Sequence, residues 1–350
     1  MDMSRVWLAV ASALLLLTPF AFARGLGLEP TPLCDRADGG LPAGPVREDA
    51  EYQLRVASFN VLHGLTDEGD QTLERRLEIQ VQELADSGVD VVGLQEVSES
   101  TNHGRVIQRL SAELARVTEQ TWYWCWFRTE PHAPGVPDTR PGGGDPLSDQ
   151  LAAHYNSHEN EWYEGAAVLS RWPILRAAAH RLPGEDVVGR LTGECLPAQD
   201  PVCALDLALE PRAAVWAEVS TPRGPLSVVA AHTSGNVDQH ADLARWASDR
   251  SLRDRSAVIV CDCNAVSSSA AYAALVDRSW LDTYSTLRAD EGSTVDQQLT
   301  ATGPTVTERI DYVWLRGGSA LQPVESERFM NAPVDGLWPS DHWGVLTTLR

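Results

Sequence analysis

The chain contains no lysine. All 28 of its basic residues are arginine, and against 49 acidic residues they leave a formal net charge of -21 over 350 residues. The absence excludes a lysine Schiff base and the lysine of a phosphate-binding P-loop. The acidity speaks against a protein that coats nucleic acid by charge, because such binders carry basic patches. It leaves room for an enzyme that meets a few phosphates through a metal ion. No two cysteines have zinc-finger spacing, which argues against a structural zinc site. The apolar run Val6 to Leu17 is too short for a comfortable membrane span. The length suffices for one large or two ordinary domains.

Residues 1–23 read as an export signal, with Arg5 before the apolar run and Ala21-Phe22-Ala23 as a small-x-small cleavage site. The expected location is secreted or periplasmic, with an uncleaved anchor as the alternative. In an oxidising compartment Cys195 and Cys203, close together in a loop containing Pro and Gly, are expected to form a disulfide. Cys34, Cys125, Cys261 and Cys263 cannot be paired from the sequence. Residues 24–51, rich in Pro, Gly and charge, are expected to be an extended lead-in, with Cys34 available as a tether.

Order begins at Tyr52. Leu54 to Val61 alternates as a strand, with Asn60 near its end, and Leu73, Leu77, Val81 and Leu84 give Thr72 to Ser87 one helical face. Val89 to Leu94 is a strand ending at Gln95 and Glu96. A helix over Val106 to Val117 precedes a strand in which Trp122, Trp124 and Trp126 share a face, read as core between two sheets. Residues 128–160 read as a long loop, in which His154, His158 and Glu159 are solvated rather than metal-binding. Glu164 precedes a strand over Gly165 to Ser170, and residues 186–212 form a second insertion. Ala213 to Ser220 and Leu226 to Ala231 make a hairpin that delivers His232, and a helix over Val237 to Asp249 follows.

The run Ala257 to Ala265, AVIVCDCNA, is a buried strand that ends abruptly in Asp262 and Asn264. Two apart in extended backbone, these residues point to one side. Burying an acid and an amide without partners costs several kcal/mol, on the order of 1–3 for the amide alone, so something polar must face them. A metal-bound phosphate suits both. A helix over Ala270 to Val276, a strand opened by Asp311 and a last strand preceded by Asp341-His342 complete the chain. Taken singly, these polar residues are commonly turn or surface groups.

Taken together, Asn60 in SFNV, Glu96 in GLQEV, Asp262 and Asn264 in the CDCN run, Asp311 in RIDYV and Asp341-His342 in SDHW resemble the endonuclease/exonuclease/phosphatase superfamily, which includes DNase I-like nucleases. The resemblance spans Asn60 to His342. It implies a four-layer α/β/β/α sandwich of the α+β kind, two mixed, mostly antiparallel sheets packed face to face with helices outside, as one catalytic domain over 52–350. It further implies a phosphodiesterase in which Asn60, Glu96 and Asp341 hold Mg²⁺ or Mn²⁺. Asp262 would activate water, Asn264 would bind the phosphate, and His342, oriented by Asp311, would act with His232, oriented by Glu164. Nucleic acid is favoured over phospholipid as substrate, with a sphingomyelinase-like phosphodiesterase, a phosphatase and a non-catalytic binding module as alternatives. No stable protein partner is implied, and a monomer is expected. The chain departs from the family pattern at Cys261, where Gly is usual, at Cys263, where a bulky residue is usual, and at His63, where some nucleases carry Asp or Arg.

Overall fold

The alternating runs assemble into two sheets whose apolar faces meet. The computed structural model describes residues 30–35, 46–63, 67–131, 140–155, 162–183, 211–251 and 256–350. One sheet has the order β1 (Leu33–Asp35), β5 (Tyr123–Glu130), β6 (Trp162–Ser170), β3 (Val91–Ser100), β2 (Leu54–Asn60), β14 (Gly344–Leu349), β13 (Pro323–Phe329), with β4 (Gly104–Arg105) paired to β3. The other runs β11 (Trp280–Asp282), β12 (Asp311–Arg316), β10 (Ala257–Asp262), β9 (Gly224–His232), β8 (Ala213–Thr221), β7 (Ile174–Arg181). Only β2–β3 and β9–β10 are parallel among the described pairs.

Between the sheets Val56, Val91 and Val168 pack with Val228, Val258, Val260 and Val313. Helices α1 (Asp67–Ser87) and α2 (Val106–Thr118) cover the outer face of the first sheet through Leu73, Leu77, Ile107 and Leu110. On the second sheet Leu243, Ala247 and Leu275 of α4 (Val237–Arg250) and α5 (Ala270–Val276) do the same. The result is the expected four layers. Two further helices, α3 (Pro146–Tyr155) and α6 (Thr283–Leu287), lie in connections.

Several local expectations change. Trp122, Trp124 and Trp126 do share a face, but it packs under α1 and α2 rather than against the second sheet. Cys125 and Phe127 take the inter-sheet side instead. The loop expected over 128–160 contains the end of β5 and all of α3. The lead-in is partly structured, because β1 pairs with β5 and a disulfide joins Cys34 to Cys125. A second disulfide links Cys261 and Cys263. The export signal, the proposed Cys195–Cys203 bridge, and His158 and Glu159 lie outside the described residues.

The sheets are in tight contact at Gly93 of β3. A Cβ there would lie 2.1 Å from Val260 Cγ2 and 3.1 Å from the Ala230 Cβ. Both neighbours are short and buried, so neither can swing aside. Gly93→Ala is expected to destabilise the protein by about 1–3 kcal/mol, the usual range for overpacking, read as a lower urea midpoint at unchanged slope. A midpoint equal to wild type would show that the sheets can part there.

Candidate active site

Strand register brings the site together. Asp262 ends β10, pairing with His232 at the end of β9 on one side and with Asp311 at the start of β12 on the other. Paired residues share a face, so the three side chains stand in a row. Across the gap, Asn60 ends β2 and pairs with Gln95 of β3.

Glu96 follows in a register shift between Leu94 and Val97, with φ of 57°. The strand therefore continues to Ser100 instead of ending at Leu94. A bulge re-aims the side chain it carries, and this one turns Glu96 into the rim. Asn264 likewise departs from the expected extended backbone. Its φ is 45°, and its N–H donates to Asp262 Oδ1 at 3.1 Å. Its side chain still converges on the site, with Nδ2 3.1 Å from His232 Nε2 and donating to the Thr233 carbonyl at 2.8 Å.

Two residues that sequence reasoning passed over hold the loops. Buried Arg76 donates to the Val61 and Leu62 carbonyls at 2.8 Å and to that of His63 at 3.3 Å. Gln80 bridges the Val61 and Pro339 carbonyls, and Ser340 Oγ donates to the Asn60 carbonyl at 2.8 Å. These ties bring Asp341 and His342 beside Asn60. The helical spacing of α1 marks Leu73, Leu77, Val81 and Leu84 but gives no signal for the inward polar pair, Arg76 and Gln80.

Asp262 Oδ2 is the hub. It accepts from Asn60 Nδ2 at 3.0 Å and lies 3.5 Å from His232 Nε2 and 3.7 Å from His342 Nε2. The other His342 nitrogen, Nδ1, is 2.9 Å from Asp311 Oδ2, which also accepts from Thr294 Oγ1 at 2.7 Å. The expected Asp311–His342 pair is thus a hydrogen bond. Glu164 Oε1 lies 3.9 Å from His232 Nδ1, near but beyond hydrogen-bond reach. Arg212, also unanticipated, places Nη1 3.1 Å from both ring nitrogens of His232.

Burial and charge divide the two histidines. Burial, reinforced by the Arg212 charge, pushes His232 well below the usual imidazole value. Burial acts in the same direction on His342, but Asp311 and Asp262 outweigh it and hold His342 well above that value. Burial raises Asp262 to about 7, with Asp311 and Glu96 adding to the rise against His342 and Asn60. It also raises Asp341, and Glu96 contributes there too. For Glu96 burial is overcome by the His63, His232 and His342 imidazoles and the Asn60 amide, which bring it down to about 2.

A cation would relieve this crowding of carboxylates. The oxygen-rich donor set suits a hard divalent ion, and Asp311 Oδ1 is buried without a hydrogen-bond partner. Among the described residues the ligand atoms fall into three overlapping groups, each within 4.8 Å: His63, Glu96 and Glu164; Glu96, His232 and Asp262; Asp262, Asp311 and His342. Asp341 stands outside these groups. Asn60 is tied to its neighbours on both sides of its amide. Its Oδ1 accepts from the Leu62 N–H at 3.0 Å, and its NH₂ spans Glu96 and Asp262, which holds the expected ligand between the two carboxylates.

Comparison with known proteins bears on the fold that carries this rim. The fold is similar to a family protein from Leptotrichia buccalis C-1013-b, with a TM-score of 0.58 at 16% identity over 85% of this chain and 99% of that one. The human Nocturnin catalytic domain with bound sulfate matches with a TM-score of 0.56 at 17% identity, over 87% of this chain and 95% of that one. A mannosyl-6-phosphatase from Bacteroides thetaiotaomicron VPI-5482 matches with a TM-score of 0.53 at 13% identity, over 85% and 99% of the two chains. The search of curated proteins found no match. The sequence model of the Endonuclease/Exonuclease/phosphatase family matches residues 57–342, which takes in every one of these rim residues, and the chain belongs to that family.

Proposed function

We propose that this family phosphoesterase is an exported, Mg²⁺- or Mn²⁺-dependent phosphodiesterase whose substrate is nucleic acid. The observation that carries the hydrolytic reading is the row His232–Asp262–Asp311–His342, in which one imidazole is held neutral and the other cationic. Asp262, raised to about 7, and the cationic His342 are suited to opposite proton roles, with neutral His232 beside them. A divalent ion held through Glu96 and Asp341 would supply positive charge to the phosphate oxygens.

Asp262 Oδ2 takes the proton of the attacking water. His342, fixed by Asp311 through Nδ1, presents Nε2 as the donor for the departing oxygen. Asn264 Nδ2 and Arg212 donate hydrogen bonds to the non-bridging oxygens beside neutral His232. The two disulfides among the described residues suit an oxidising compartment, which supports export.

The test is product release from plasmid DNA, RNA, sphingomyelin and bis-p-nitrophenyl phosphate by the purified chain, with Mg²⁺ or EDTA, beside Glu96→Ala. Expected are nicked DNA or shortened RNA with Mg²⁺ only, and loss of about 10²-fold or more in the variant, at least what losing an outer-shell partner of a metal ligand costs. Inactivity on DNA and RNA at low salt, with turnover of sphingomyelin, would assign the site to phospholipid instead. Undiminished activity in Glu96→Ala would end the metal-dependent reading.

A further inference from the structure

The turn that aims Asp262 is itself held from behind. Past Asp262 the chain leaves β10, and Cys263 and Asn264 bring it round, with Asn264 at a φ of 45°. A positive φ is uncommon outside glycine, although Asn tolerates it better than most residues, so the turn needs support. The peptide that joins Cys263 to Asn264 is planar and trans. Its carbonyl and its N–H point in opposite directions, and fixing one aims the other. The N–H, on Asn264, donates to Asp262 Oδ1 at 3.1 Å, which leaves Oδ2 turned toward Asn60, His232 and His342.

The carbonyl end of that peptide is clamped. The Thr233 hydroxyl donates to it at 2.7 Å, and His240 Nε2, on α4, stands 2.9 Å from the same oxygen and 2.8 Å from Thr233 Oγ1. With its proton on Nε2, the ring is a second donor to the Cys263 carbonyl. The other nitrogen, Nδ1, stands 2.9 Å from the Ala271 carbonyl in α5. Thr233, His240 and Cys263 are all buried, where such contacts are stronger than at the surface.

The rest of the turn is fixed around this clamp. The Cys263 N–H donates to the Ile310 carbonyl at 2.8 Å, and the Thr233 N–H to the Asp262 carbonyl at 3.0 Å. Gly235 packs so close that a Cβ there would lie 2.2 Å from the Asn264 carbonyl oxygen. The Cys261–Cys263 bridge ties the side chain of Cys263 and leaves its carbonyl to Thr233 and His240.

We propose that Thr233 and His240 are positioning residues for the hydrolysis: by holding the Cys263 carbonyl they aim the Asn264 N–H at Asp262 Oδ1, and so present Oδ2 to the attacking water. The proposal rests on the role given to Asp262 in the proposed function. Without the clamp the 263–264 peptide is free to turn over, Asn264 relaxes to negative φ, and the Asp262 carboxylate loses the donor that fixes its rotation.

The experiment compares paired substitutions, by hydrolysis of bis-p-nitrophenyl phosphate with Mg²⁺ and by crystallography. Thr233→Val removes the hydroxyl and keeps the shape, whereas Thr233→Ser keeps the hydroxyl. His240→Asn keeps a donor near the place of Nδ1 and loses the one near Nε2, whereas His240→Gln does the reverse. Thr233→Val and His240→Asn should each lower kcat by about tenfold with KM changed less, and Thr233→Ser and His240→Gln should stay within about twofold of wild type, one hydrogen bond being worth about that difference in rate. In crystals of Thr233→Val and His240→Asn the 263–264 peptide should be turned, with the Asn264 N–H no longer bonded to Asp262. A purely structural role predicts a lower urea midpoint with the kcat of the folded protein intact; that result, or an unmoved peptide in both variants, overturns the proposal. Should one of these two variants fail to fold, the other carries the same comparison. If the wild type hydrolyses no phosphodiester, the phosphodiesterase reading fails and the crystal structures alone decide the positioning.

Discussion

His342→Ala is expected to lower kcat on the cleaved phosphoester by about 10³-fold, within the range a positioned proton donor contributes. KM should stay close to wild type, because the groups that meet the phosphate on its other side, Asn264 and Arg212, remain. The size of the effect follows from the way the ring is held. Its Nδ1 is anchored 2.9 Å from Asp311, Asp311 is itself fixed by Thr294, and the free edge, Nε2, faces Asp262. Asp311→Asn keeps the shape but exchanges a carboxylate for an amide, and should produce a smaller loss with the same KM. Because Asp311 and Asp262 hold His342 well above the usual imidazole value, the ring is a cation at neutral pH. Activity that needs its proton therefore declines as the pH rises through that elevated value, and the alanine variant lacks this alkaline limb. Retention of more than about a tenth of the wild-type kcat would remove the imidazole from the proton transfer.

Asp262→Asn should separate activity from stability. The hub loses its proton acceptor, so kcat is expected to fall by about 10³-fold or more. Stability should move the other way at alkaline pH. The carboxyl titrates near 3.8 when unfolded and is raised to about 7 by burial. Its contribution is therefore fully present below the lower value and is lost as the pH rises through the higher one. Without divalent cation, wild type should lose urea resistance between pH 4 and about 8, and Asp262→Asn should lose less over the same window. Parallel curves for the two proteins would mean that the carboxylate is already compensated in the native state.

The central strands and their polar ends were legible because burial leaves a simple mark. The run from Ala257 is continuously apolar until Asp262, and that discontinuity alone indicates a rim. Glu96 was placed correctly in sequence but not in conformation. A bulge depends on what pairs with the strand, here β6, and nothing local to Gln95-Glu96 announces it. Arg212, Arg76 and Gln80 escaped notice for a related reason. Each is an ordinary polar residue whose role is set by carbonyls and rings brought near from distant parts of the chain. The Trp122–Trp126 stripe shows the limit from the other side: alternation tells which residues share a face, but not whether a sheet or a helix will cover it. Strands β7 and β13 are partly solvated, and their mixed burial leaves a weak alternation to read.

The Cys34–Cys125 bridge joins positions 91 residues apart and encloses β2, α1, β3 and α2 in one covalent ring. A single backbone cut anywhere inside that ring yields two polypeptides that still travel as one molecule. A protease-treated sample should keep its full size on a denaturing gel without reductant and separate into two bands once thiol is added. Clipping that matters for handling this protein will therefore go unseen unless the sample is reduced first.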